Sequence, residues 1–239
     1  MKRLFAAILV IALVSVYGLS RGNSRSSSET EPSRQLFDRE GPGTADSAKS
    51  SRVSVRRRIA ESDTYLGYAL AEGDSMLRRW RDRSAEPVTV FISAGRVPGY
   101  SEDLRSAVRE AFVRWERVGA IPVVFSFVRD STQAEVEVKW IESFTIRRTG
   151  QAEVTWDPSG WLVRGLLTIA THFDDGRAVS REVVNTVALH EIGHLLGLGH
   201  SDDPADLMYP ATSVQDLTPR DRRTARLLYA LPPGFVRDP

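Results

Sequence analysis

The hydrophobic pattern divides the chain into three stretches. From Leu4 to Leu19 nearly every residue is apolar, interrupted only by Ser15 and Gly18, and Lys2-Arg3 precede the run. A basic start followed by a run of this length reads as a secretory signal over residues 1–20. A signal anchor that stays uncleaved remains open, because no small-residue cleavage pattern follows. Residues 21–58 reverse the pattern. They are rich in Ser, Arg, Glu, Gly and Pro and show no period, which predicts a flexible linker or a removable pro-segment. Arg56-Arg57-Arg58 reads there as a solvated charge run or as a processing site.

Periodicity returns at residue 59. Tyr65, Leu66, Ala69, Leu70, Met76, Leu77 and Trp80 predict a helical pre-segment over 59–85, in one helix or in two separated at Gly73. Pro87 opens a strand through Ile92. Ser101 is placed to cap a helix whose first turn holds Glu102 and Asp103. Its apolar residues Leu104, Val108, Ala111, Phe112, Trp115 and Val118 recur at spacings of three and four, and Gly119 ends it. Val123–Val128, Ala134–Trp140 and Leu166–Ala170 read as strands. In the second of these, Val136, Val138 and Trp140 alternate with Glu135, Glu137 and Lys139. Ser180 caps a long helix from Arg181 to Leu196, and Thr218-Pro219 opens a last one that Pro232-Pro233 closes. Strands interleaved with helices give an α/β (α+β) domain over 86–235.

Composition adds exclusions. The chain has 239 residues, 41% hydrophobic and 26% charged, which suits a globular protein. It has no cysteine, so disulfides, thiolate zinc sites, iron–sulfur clusters and cysteine nucleophiles are all excluded. A net charge of +1 makes no case for binding nucleic acid by bulk charge. The charge is uneven, with 11 basic and 5 acidic residues in 1–58 against 21 and 26 thereafter.

The candidate chemistry lies in the histidines. There are four, His172, His190, His194 and His200, and three of them fall in His190-Glu191-Ile192-Gly193-His194-Leu195-Leu196-Gly197-Leu198-Gly199-His200. Helix positions i and i+4 share a face, so His190 and His194 can place two imidazoles on one metal ion. Gly197 can end the helix in a turn with positive φ that returns His200 as a third ligand. Three neutral nitrogens with an open fourth position describe a catalytic zinc site. Glu191 can reach a metal-bound water and take its proton, which points to hydrolysis of an amide or peptide bond.

The extended HExxHxxGxxH spacing resembles that of the metzincin zinc metallopeptidases. Leu207-Met208-Tyr209-Pro210 resembles the methionine turn of that clan. Ser201 after the third His, the Leu217-Thr218-Pro219-Arg220-Asp221 helix start and Thr171-His172-Phe173-Asp174 are similar to the matrixin branch. The order strand, helix, two strands, edge strand, strand, active-site helix is similar too, and the resemblance covers about residues 86–233. It implies a metzincin-like zincin domain, with a twisted mixed sheet of about five strands, an active-site helix and a C-terminal helix. It implies that His190, His194 and His200 bind one catalytic Zn2+, that Glu191 is the general base and that Met208 forms a hydrophobic floor. It further implies an extended substrate along an edge strand, read here as Val163 to Ala170 and therefore including Leu166, Leu167, Thr168, Ile169 and Ala170.

The departures carry expectations of their own. His172 matches one ligand of the structural zinc of animal matrixins, but no other His remains, so that second zinc is expected to be absent. Asp174 matches a calcium-binding position while Arg177 stands where a carboxylate would help, which leaves Ca2+ open as a second metal. The pro-segment cysteine of the usual matrixin is missing, so latency, if residues 21–85 hold it, is steric. The pre-segment is expected to pack on the domain rather than cover the cleft. The reading that results is an exported, extracytoplasmic zinc endopeptidase. It would act as a monomer on peptide or protein substrates, without nucleic acid, and touch a membrane only through its N-terminal segment. The alternative is a zinc-binding, non-proteolytic interaction module on the same fold, which would have no use for an intact Glu191.

Overall fold

The computed structural model describes residues 43–236, with side chains from residue 51. The expected export segment and most of the expected linker lie outside the described residues. Among the described residues no helix is long and apolar enough to cross a membrane.

Helix α1 spans Gly43–Ala60, so the last part of the stretch expected to be an irregular linker is helical. Val55 and Ile59 are buried, while Arg56, Arg57 and Arg58 are exposed. The pre-segment also departs from a continuous helix. Helix α2 is confined to Leu66–Glu72 and stops at Gly73, and the chain then turns into the two-residue strand β1, Met76–Leu77. The apolar residues that mimic helical spacing here serve different anchors. Tyr65 is buried with its hydroxyl donating to Asp221 at 3.1 Å, and Trp80 is buried with its indole N–H donating to the Leu195 carbonyl at 2.8 Å.

Strand β2 runs Arg83–Ile92, four residues earlier than Pro87 suggests, and its pairing register shifts between Arg83 and Val88. Pro87 lacks an N–H for the ladder, and an irregularity there accommodates it. Helix α3 follows at Glu102–Val118, with the Ser101 side chain accepting from the Leu104 N–H at 3.3 Å. Strands β3 (Val123–Phe127), β4 (Val136–Ile141), β5 (Gly150–Trp156) and β6 (Leu162–Ala170) complete a five-stranded sheet of order β3-β2-β4-β6-β5. All neighbours are parallel except β5, which runs antiparallel to β6. The mixed α/β sheet is therefore the one expected.

The edge is not. Leu166, Leu167, Thr168, Ile169 and Ala170 lie on β6, which is bonded on one side to β4 and on the other to β5. Both ladders of β6 are used, so no peptide can add to it. The edge strand on this side of the sheet is β5, whose inward residues Gly150, Ala152, Val154 and Trp156 alternate with Gln151, Glu153 and Thr155.

Helix α4 (Arg181–Leu195) packs against α3 and the β5–β6 end of the sheet, and helix α5 (Pro219–Tyr229) follows with a complete capping box at Thr218 and Asp221. The C-terminal end of α4 is buried, so its orphan carbonyls need donors from elsewhere. Trp80 supplies one to Leu195, and the Tyr229 hydroxyl supplies one to Leu196 at 3.1 Å. Strand β7 (Gly234–Phe235) then pairs antiparallel with β1, Met76 opposite Phe235.

Candidate active site

Helix α4 is buried nearly all round, polar residues included. His190 and Glu191 have no exposed surface and His194 has 4%. The helix ends where Gly197 takes a φ of +97°, the left-handed turn that the third histidine needs. No other residue fits, because a Cβ at Gly197 would run into the Arg78 carbonyl of the pre-segment. The turn brings His200 back, and one ring nitrogen from each of His190, His194 and His200 lies within 4.8 Å of the others. Among the described residues this is the one group of three such side chains able to share a metal ion.

Hydrogen bonds decide the tautomers. His190 Nδ1 is 2.8 Å from the Leu207 carbonyl and His194 Nδ1 is 2.8 Å from the Leu198 carbonyl. A carbonyl only accepts, so each Nδ1 carries the proton and each Nε2 presents a lone pair. Those two Nε2 atoms stand 3.1 Å apart, and the His200 Nε2 is buried with no partner. Lone pairs this close repel unless a cation lies between them. Tetrahedral Zn2+ at about 2.0–2.1 Å from each nitrogen separates ligands by about 3.4 Å, so the cluster fits that ion. Burial, reinforced by the neighbouring imidazoles, disfavours the charged forms. It takes the His190 pKa down to about 3 and that of His194 well below its usual value; burial alone lowers His200 to about 4. Neutral imidazole is the form that binds a metal.

Glu191 lies beside this cluster with neither carboxyl oxygen hydrogen-bonded. Burial pushes its pKa up to about 8, against the smaller opposing pull of the Ala152 amide and Arg148. Met208 is fully buried, and its side chain lies so close to the α4 backbone that a Cβ at Gly193 would overlap its sulfur. The Met208 turn is held by Asp221 of α5. That carboxylate accepts from the Leu207 N–H at 3.1 Å and the Met208 N–H at 3.3 Å, besides Tyr65 and Thr218. The Ser201 N–H donates to the Met208 carbonyl at 2.9 Å, tying the third-histidine loop to the same turn.

The sequence model of the Matrixin family matches residues 79–230. The chain belongs to the matrixin family. Among curated proteins, this matrixin is 34% identical to Metalloendoproteinase 1-MMP of Arabidopsis thaliana over 151 residues, which are 58% of this chain and 41% of that protein. It is 30% identical to Metalloendoproteinase 1 of Glycine max over 174 residues, 65% of this chain and 54% of that one. A 51-residue stretch is 45% identical to Macrophage metalloelastase of Oryctolagus cuniculus, covering 20% of this chain and 11% of the relative. The matrixin thus spans about half the length of the plant relatives it matches.

Other expected site residues lie apart from this cluster. Asp174 is exposed, and its neighbour Asp175 is paired with Arg177 at 2.7 Å. His172 bridges to Ala178 across a turn, its Nδ1 3.0 Å from the Thr171 hydroxyl. Three elements of the site escaped sequence reasoning. Strand β5 carried a legible signal, the alternation of Gly150, Ala152, Val154 and Trp156 with polar residues. Asp221 reads only as a first-turn acid. The Leu198 and Leu207 carbonyls leave no trace in side-chain types.

Proposed function

We propose that this matrixin is an exported zinc endopeptidase that cleaves peptide bonds in an extended substrate laid along β5. The observation that carries the reading is the convergence of one ring nitrogen from each of three histidines beside a buried carboxyl group that makes no hydrogen bond. Zinc, when held by His190, His194 and His200, supplies a Lewis acid that acidifies water and polarises the scissile carbonyl. The residues of the chain do the rest. Glu191 accepts the proton of the attacking water and passes it to the leaving amine. The Leu207 and Leu198 carbonyls keep the two α4 imidazoles in the ligand tautomer. Met208 closes the underside with apolar surface that offers no competing ligand. The free edge of β5 offers main-chain N–H and C=O groups to any extended peptide, which supports broad recognition. The apolar Leu4–Leu19 run supports export to an extracytoplasmic site, secreted or anchored.

The test is cleavage of a peptide library by the zinc-loaded full chain beside Glu191→Gln. Turnover is expected to fall about 10²–10⁴-fold in the variant with zinc still bound one to one. Equal cleavage by both would overturn the role of Glu191. Zinc bound one to one with no cleavage by either would favour the non-proteolytic binding module.

A further inference from the structure

Beside the histidine cluster lies a cavity of about 290 Å³ that the edge strand and the pre-segment share. Its wall includes Leu66, Ala69, Leu70 and Leu77 from the pre-segment, Val154 from β5 and His194 from the metal cluster. Two side chains at its margin, Asp74 and Arg78, neutralise each other in an ion pair, and the Arg78 guanidinium stacks over Trp156. The pre-segment is a built part of this wall. Ala69 lies against Gly199 in the third-histidine loop, and the Arg78 carbonyl lies against Gly197.

Strand geometry says which part of a substrate reaches it. Inward side chains on β5 fall at Gly150, Ala152 and Val154. The inward side of Gly150 and the Ala152 amide lie against Glu191, whereas Val154 lines the cavity. A peptide added antiparallel to β5 repeats this period, so two of its residues on the same face lie about 7 Å apart. If the residue just after the scissile bond faces Glu191, the inward neighbour two positions earlier faces the cavity. We propose that residues 66–77 form a specificity pocket that takes an apolar side chain, branched or aromatic, at the second residue before the scissile bond. The proposal rests on the endopeptidase reading for its register. The apolar wall, with Asp74 and Arg78 already paired, favours an apolar side chain over a charged one.

The experiment uses the zinc-loaded full chain and peptides of one background carrying Ala, Leu, Phe or Lys at that position. Leu and Phe peptides are expected to exceed Ala and Lys by at least about tenfold in kcat/KM, the discrimination that extra methylenes give in an apolar pocket. Leu70→Trp, which fills the cavity, is expected to bring the Leu-to-Ala ratio within about twofold. Leu70→Ala, which enlarges it, is expected to shift preference towards Phe. Thermal melts show that each variant is folded. Equal cleavage of all four peptides, or an unchanged ratio in both variants, overturns the pocket and leaves the endopeptidase standing. Calorimetric binding of the same peptides separates the reverse case. Leu-selective binding lost in Leu70→Trp, without any cleavage, keeps the pocket and removes the endopeptidase. Equal binding of all four without cleavage removes both.

Discussion

Helices α3 and α4 lie side by side and are built on opposite rules. Helix α3 buries one stripe, Leu104, Ala107, Val108, Ala111, Phe112 and Trp115, and keeps its charges on the outer face, where Asp103 and Glu110 pair with Arg181 and Arg114 pairs with Asp216. Helix α4 buries eleven residues, and among them are two imidazoles and a carboxyl group. Trp115 joins the pair by donating its indole N–H to the Leu189 carbonyl at 2.8 Å. In α3 every buried side chain is satisfied by packing or, for the Trp115 N–H, by that hydrogen bond. In α4 the Glu191 oxygens make no hydrogen bond and feel only the small pull of the Ala152 amide and Arg148, so packing leaves this carboxyl group unsatisfied. One helix serves stability, and the other stores an unmet demand for hydrogen bonds and charge that the rest of the fold must support.

The largest test of that contrast is Phe112→Ala on α3. It is expected to cost about 3–5 kcal/mol in urea unfolding, because the ring is fully buried against Phe125 and Phe127. A loss below about 1 kcal/mol would mean that the stripe does not hold the domain. Glu191→Met on α4 should move the other way. In chelator-treated protein it is expected to stabilise by about 1–3 kcal/mol, since an unpartnered buried carboxyl is replaced by an apolar group of similar size. Destabilisation in that variant would show that the carboxyl is satisfied after all.

The pH dependence sharpens the same point in metal-free protein. The three histidines have folded pKa values below their ordinary 6.5, so the unfolded chain binds more protons and stability falls as pH drops below about 6.5. Glu191 has a folded value near 8 against an ordinary 4.5, so its contribution is present below pH 4.5 and is lost as pH rises to about 8. Three groups outweigh one below 6.5, and Glu191 acts alone above it. Melting temperature is expected to peak near pH 6.5–7 and to decline on both sides; a monotonic rise to pH 8 would contradict the Glu191 assignment. The smallest effects are those of the two caps. Ser101→Ala and Ser180→Ala should each cost about 1 kcal/mol, and similar losses would show that the helices differ in their interiors rather than in their starts.

Much of this was legible because single residues carry local rules. The caps Ser101, Ser180 and Thr218 stand where spacing places them, and His190, His194, Gly197 and His200 converge as the motif requires. What the pattern misjudged depends on partners distant in the chain. The resemblance puts the substrate on an edge strand, read as residues 163–170, yet an apolar run like this one is what an interior strand needs on both faces. Residues 59–83 look helical because buried positions recur near a period of 3.6, although Tyr65 and Trp80 are buried by α5 and the end of α4. Nothing local to Asp221 says that it will hold the turn above it.

The pairing of β1 with β7 sets an order of events for the nascent chain. Met76 and Phe235 are about 160 residues apart, so β1 has no strand partner until nearly the whole of this sequence has been synthesised. The pocket wall that ends at Leu77 is anchored by that same pairing. During synthesis the histidine motif therefore emerges before its neighbouring wall is locked, and a chain stopped a few residues short of β7 would carry every metal ligand and lack a finished cleft. Completion of the cleft is coupled to the synthesis of β7.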